Sequence, residues 1–139
     1  MLTIFSDGGA RGNPGPASCA FGVYDENKEL IYSDARYLGI TTNNVAEYNG
    51  VIFALTGVMN YAPTKLDGEI IFNLDSELVV NQLTGIYKIK NKTLESLALR
   101  VKKIIVDNNL HINFVHIPRR ENFYADKLVN EKLDESSRL

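Results

Sequence analysis

Apolar and polar positions alternate from the first residues onward, and the alternation predicts three strands in quick succession. Residues 2–6 are short, apolar and β-branched, residues 17–24 form a second such run, and residues 29–38 alternate well enough for a third. A turn-rich loop, residues 7–16, joins the first two; it carries Gly8, Gly9, Gly12 and Gly15 with Pro14 and Pro16. A polar turn, Asp25-Glu26-Asn27-Lys28, joins the second and third. Strands joined this closely pair antiparallel, as a meander.

The period then lengthens. Thr41-Thr42-Asn43-Asn44 supplies N-cap chemistry, a role open to Asn43 and Asn44 as well, ahead of a helix over residues 45–61. Val45, Tyr48, Ile52, Leu55 and Met59 make its apolar stripe, and Ala46, Gly50, Ala54 and Gly57 make a small-residue strip suited to close packing on a sheet. Pro63 ends the pattern. A fourth strand is expected at 69–74, a short helix at 76–83 stopped by Gly85, a longer helix at 92–108, a fifth strand at 110–117 and a last helix at 122–133. The order is βββαβααβα. Strands alternating with helices must join the sheet in parallel, so the fold class is α/β: a mixed five-stranded sheet, three antiparallel strands followed by parallel additions, with helices on both faces. Sites in such sheets form at the carboxyl ends of the central strands.

Composition narrows the class. A chain of 139 residues fits one domain, expected over residues 1–139. The lone cysteine, Cys19, permits no internal disulfide, suits a reducing cytoplasm and sits among small and apolar neighbours as a packed side chain. The start has neither a basic segment nor a long apolar run, and no stretch is apolar enough to span a membrane. The net charge of −2 argues mildly against a nucleic-acid partner. Its distribution argues the other way: Lys88, Lys90, Lys92, Arg100, Lys102, Lys103, Arg119 and Arg120 face only Glu95 and Asp107 in that part of the chain.

The acids carry the chemistry. Asp7 and Asp75 are expected at the ends of the first and fourth strands, Glu47 and Asp126 in the first turns of two helices. Each has a plainer reading alone: Glu47 and Asp126 suit the positive end of a helix dipole, Asp7 a turn, and Asp75 an N-cap. Together they converge on one sheet edge. Carboxylates gathered there raise one another's pKa and are tolerable if they bind cations, and oxygen-only ligation suits Mg²⁺ or Mn²⁺. Two ions about 4 Å apart can clamp the attacking water and the leaving oxygen of a phosphodiester.

Four segments resemble motifs of the type 1 ribonuclease H family: Asp7-Gly8-Gly9 with Asn13-Pro14-Gly15; Thr41-Thr42-Asn43-Asn44-Val45-Ala46-Glu47-Tyr48; Asp75-Ser76-Glu77-Leu78-Val79-Val80; and Glu121-Asn122-Phe123-Tyr124-Ala125-Asp126. They occur in family order and span nearly the whole chain. The resemblance implies a ribonuclease H-like fold and an endonuclease that cuts the RNA strand of RNA–DNA hybrids by a two-metal-ion mechanism, leaving 5′-phosphate and 3′-hydroxyl ends. It implies Asp7, Glu47, Asp75 and Asp126 as the catalytic, metal-binding quartet. It nominates Gly8, Asn13, Asn43 and Asn44 for contacts to the hybrid, where RNA is read through its 2′-hydroxyls in the shallow minor groove.

The chain departs from the family pattern in places. Glu77 stands where many members have glutamine, and an acid there repels phosphate. The extra basic helix of some members has no room in residues 84–91, so Lys88, Lys90 and Lys92 are candidates for part of its grip, against the reading of a solvated face. His116 alternates within the fifth strand and reads as structural, and His111 as exposed. Arg119, in a Pro-Arg pair as in compact relatives, is the candidate for holding the scissile phosphate or neutralising the leaving charge, since arginine cannot act as a base at neutral pH. Duplex RNA is a further candidate substrate, no membrane partner is expected, and a monomer is. The rival readings are a resolvase- or exonuclease-type nuclease of the wider fold, a non-catalytic hybrid-binding module, and a nucleotide-binding α/β protein. The last needs a glycine loop leading into a helix, whereas here a strand follows.

Overall fold

The computed structural model describes residues 1–63 and 66–138. Its elements are β1 (Leu2–Ala10), β2 (Gly15–Tyr24), β3 (Leu30–Thr41), α1 (Asn43–Tyr61), β4 (Glu69–Leu74), α2 (Glu77–Leu83), α3 (Lys92–Asp107), β5 (His111–His116) and α4 (Phe123–Ser137), with a 3-10 turn (Arg119–Asn122) leading into α4. Element order is as the periodicity predicts. The sheet runs β3-β2-β1-β4-β5, antiparallel across β3, β2 and β1 and parallel across β1, β4 and β5.

The main core lies on one face. Leu2, Ile4, Phe21, Val23, Ile70, Phe72 and Leu74 of the sheet bury against Tyr48, Val51, Leu55 and Val58 of α1. Leu94, Leu97, Ala98 and Val101 of α3 join them; this i, i+3, i+4, i+7 spacing puts one stripe against the core. The Tyr48 hydroxyl, deep in that core, donates to Gln82 Oε1 at 2.8 Å and ties α1 to α2. The opposite face is thinner. There α4 covers Ala20 with Val129 and Leu133, and the Ser18 hydroxyl donates to the Val129 carbonyl at 2.8 Å. Among the described residues, no helix is long and apolar enough to cross a membrane.

The boundaries differ most from expectation around the glycine loop. Asp7 does not end β1. It lies inside the strand opposite Ala20, and β1 pairs with β2 as far as Ala10 opposite Ala17. Parallel pairing of β1 with β4 stops earlier, at Phe5 with Asn73. The carboxyl end of β4 therefore opens beside Asp7, where β1 has an antiparallel neighbour on one side and a parallel one on the other. Such a junction is where crevices form in mixed sheets.

Candidate metal centre

Each acid is held by a distinct local device. Asp7 sits on β1 and is 2% exposed. Gly8 follows it because no side chain fits: an added Cβ would meet the Ala46 carbonyl group of α1 at 2.2 Å. Gly50, further along α1, is close-packed in the same way, its Cβ position 2.9 Å from the Asp7 carbonyl oxygen. These two close approaches press α1 onto β1 and bring Glu47 beside Asp7. Thr42 is the N-cap of α1, its hydroxyl accepting from the Val45 amide. Asn43 and Asn44 are thus the first helical residues rather than caps, and Glu47 stands beyond the first turn rather than within it. The dipole reading of Glu47 loses its basis. Ser76, not Asp75, caps α2, accepting from the Val79 amide at 3.2 Å. Asp75 is left free to face Asp7.

Carboxylate oxygens of Asp7, Glu47 and Asp75 all lie within 4.8 Å of one another. Asp7 Oδ1 and Glu47 Oε2 are buried and have no hydrogen-bond partner among the described residues. Asp126, in the first turn of α4, lies outside that triad, so the expected quartet is three close acids and one set back. Asp126 still shares a hollow with Asp7, Gly8, Asn43 and Arg119, and its charge bears on both Asp7 and Asp75.

The electrostatics follow from the crowding. Burial, and then the charge of Asp75, pushes Asp7 up to about 7. Burial, then Asp7 and Asp75, pushes Glu47 well above the carboxylate range. Asp75 is raised by burial, opposed by a hydrogen bond from Asn122 and by the charges of Arg119 and His116. Gly8's backbone N–H opposes the upward shifts of Asp7 and Glu47. A buried pair of oxygens without donors, facing a third carboxylate, is costly unless a proton or a cation occupies the space between them. An all-oxygen donor set of this kind fits a hard divalent ion.

The remaining expected residues fall around this centre. Asn13 Oδ1 accepts from the Asn43 amide at 2.9 Å, and Asn43 Oδ1 accepts from the Ala10 amide at 2.8 Å, so the two clasp the β1–β2 loop to α1. Both are exposed, as is Asn44. Lys88 and Lys90 are exposed on the connection between α2 and α3 and do not line the hollow. Glu77 is exposed and accepts from the Tyr87 hydroxyl at 3.4 Å. Arg119 is exposed on the hollow's rim. His116, read as structural, is exposed at the end of β5, where its charge reaches Asp75. Cys19 is fully buried, and burial pushes its thiol up to about 12, which leaves no thiolate for chemistry.

Sequence reasoning missed two positions. Arg11 reaches from the loop to α4, pairing with Asp134 at 2.7 Å and donating to the Asn130 carbonyl at 3.3 Å. Asn122, inside the last of the four motifs but given no role, is 1% exposed and donates to the Ser6 carbonyl at 2.8 Å. A basic residue in a glycine loop and an amide before a helix were the available signals, and neither names its partner.

The family described as "Reverse transcriptase-like" matches residues 5–132. The "Bifunctional protein Rv2228c" of Mycobacterium tuberculosis is 35% identical over 134 residues, which cover 96% of this chain and 35% of that protein. The chain thus spans about a third of the length of the mycobacterial relatives it matches. The "Ribonuclease HI" of Halobacterium salinarum is 31% identical over 132 residues, covering 95% of this chain and 64% of that one. Among solved structures, LC11-RNase H1 in complex with an RNA/DNA hybrid superposes with a TM-score of 0.94 at 40% identity, covering 98% of this chain and 99% of that one.

Proposed function

The chain belongs to the type 1 ribonuclease H family, and on that premise we propose that it is an endonuclease hydrolysing the RNA strand of RNA–DNA hybrids, leaving 5′-phosphate and 3′-hydroxyl ends. One observation carries the reading: Asp7, Glu47 and Asp75 converge within 4.8 Å, with two buried oxygens that lack a partner among the described residues. The cofactor proposed is a pair of Mg²⁺ or Mn²⁺ ions, held by Asp7, Glu47, Asp75 and Asp126. When bound, they supply an activated water and charge to offset the leaving oxygen.

The chain's own residues do the rest. Asp7, Glu47 and Asp75 would give up their protons as the ions bind and hold those ions with oxygen ligands in a partly dry site, where charge acts strongly. Arg119, on the rim, is the proposed partner of the scissile phosphate. Asn13 and Asn43 have committed their carbonyl oxygens to the loop–helix clasp, which leaves their carboxamide N–H groups as donors toward the hybrid. With Asn44 and the Gly8 backbone they form the proposed minor-groove contact. Lys88 and Lys90 are proposed to hold phosphates further along the duplex. The working unit is taken as one catalytic domain over residues 1–139, a monomer acting in the cytoplasm; residues 64, 65 and 139 of that span lie outside the described residues.

The test is cleavage of an end-labelled hybrid with Mg²⁺ or Mn²⁺, with duplex DNA, duplex RNA and single-stranded RNA alongside. The wild type should cut only the RNA strand of the hybrid, or of the hybrid and duplex RNA. Asp75→Asn should lower the rate by at least roughly 100-fold. An intact hybrid with both metals would remove the ribonuclease reading and leave a hybrid-binding module or another nuclease of the fold.

A further inference from the structure

We infer that Asn122 is a positioning residue for the carboxylate cluster, fixing the orientation of Asp75 and the distance from α4 to the two central strands. It is the last residue of the 3-10 turn and flanks the first residue of α4, yet its side chain reaches back under the cluster. It is 1% exposed, and its carboxamide nitrogen donates both to the Ser6 carbonyl of β1 at 2.8 Å and to Asp75 Oδ2, just past β4, at 3.4 Å. Both donor positions are therefore spent, one on β1, the strand that carries Asp7, and one on Asp75 itself. Capping does not explain the residue, because the Asn122 side chain makes no cap hydrogen bond to α4. Its Oδ1 is buried without a partner among the described residues, a cost that helix packing alone would not retain.

The geometry has a consequence for the whole cluster. Asp126 lies four residues further along and so is carried by the same helix start that Asn122 pins to Ser6. One side chain thereby sets the rotamer of Asp75 directly and the placement of Asp126 through the backbone. Groups that orient a metal-binding carboxylate are worth roughly 10- to 100-fold in metal affinity or activity.

The inference rests on the cluster being a cation site, so the experiment reads that separately. Mn²⁺ binding to the free protein is measured by calorimetry for the wild type, Asn122→Ala and Asn122→Asp. Melting temperature, kcat, KM for the hybrid and the Mn²⁺ concentration for half-maximal activity are measured on the same samples. Asn122→Ala should weaken Mn²⁺ binding and lower kcat by roughly 10-fold or more, with KM for the hybrid within about twofold. Asn122→Asp keeps the shape but removes the donor and adds a charge, and should be at least as impaired. A double-mutant cycle with Asp75→Asn should show the loss in Mn²⁺ binding to be non-additive. A variant that lowers only the melting temperature, with Mn²⁺ binding and kcat near wild type, would reduce Asn122 to a fold contact and overturn the inference alone. A wild type that binds no Mn²⁺ would overturn it together with the reading beneath it.

Discussion

At the scale of single residues, the energetics are set by carboxyl groups that resist ionising. Asp7 is raised to about 7 and Glu47 well above its ordinary value, chiefly by burial. A carboxyl whose folded pKa lies above its unfolded value binds its proton more tightly when folded. Its stabilising contribution is complete at acid pH and fades as pH rises through about 7. The metal-free protein should therefore lose stability as pH rises from the ordinary carboxylate range through about 7, and Mn²⁺ should restore more at the alkaline end, where it no longer competes with protons. Asp7→Asn should be more stable than the wild type without metal at alkaline pH, by about 1–3 kcal/mol, and should lose most of the Mn²⁺ response. Urea denaturation across pH, with and without Mn²⁺, reads both. A flat profile for the wild type would mean that Asp7 and Glu47 are neither buried nor crowded as the fold has them.

At the scale of elements, the packing of α1 on β1 decides whether the acids meet. Gly8 allows the contact, since an added methyl would sit 2.2 Å from the Ala46 carbonyl group, backbone that cannot turn aside. Gly8→Ala should cost about 3 kcal/mol or more, at the upper end of overpacking, and should separate Glu47 from Asp7. Denaturant unfolding checks the first and Mn²⁺ affinity the second; a variant with native stability would show that the helix can slide at little cost. The caps are smaller terms. Ser76→Ala removes the bond to the Val79 amide that begins α2 and should cost about 1 kcal/mol without touching the cluster directly.

At the scale of the molecule, charge is divided between a deep acidic centre and exposed basic positions. Lys88, Lys90, Lys92, Arg119 and Arg120 are basic and all exposed, so a chain of net charge −2 still presents basic positions to the proposed polyanionic substrate. Replacing Lys88 and Lys90 together by alanine should raise KM for the hybrid severalfold at moderate salt and leave kcat close to wild type. It should also flatten log affinity against log salt by about one unit for each phosphate no longer held. An unchanged slope would return these lysines to a solvated face.

The sequence by itself determined the order of elements and the mixed sheet, and it named Asp7, Glu47 and Asp75, the three acids that the fold brings together. Those features are written in local periodicity and in motifs that keep their spacing: the fourth strand is read at Glu69–Leu74, and α1 ends at Tyr61 as its stripe predicts. Only the tertiary structure decided where the acids stand relative to one another. That Asp7 lies within a strand follows from β2 pairing on past the point where β4 stops, a fact of two neighbouring strands and not of one segment. That Asp126 is set back from the triad, and that Asn122 and Arg11 tie α4 to the sheet and loop, follows from contacts between residues far apart in the chain. Hydrogen bonds and desolvation depend on which distant groups share a space. Local propensity carries no record of that.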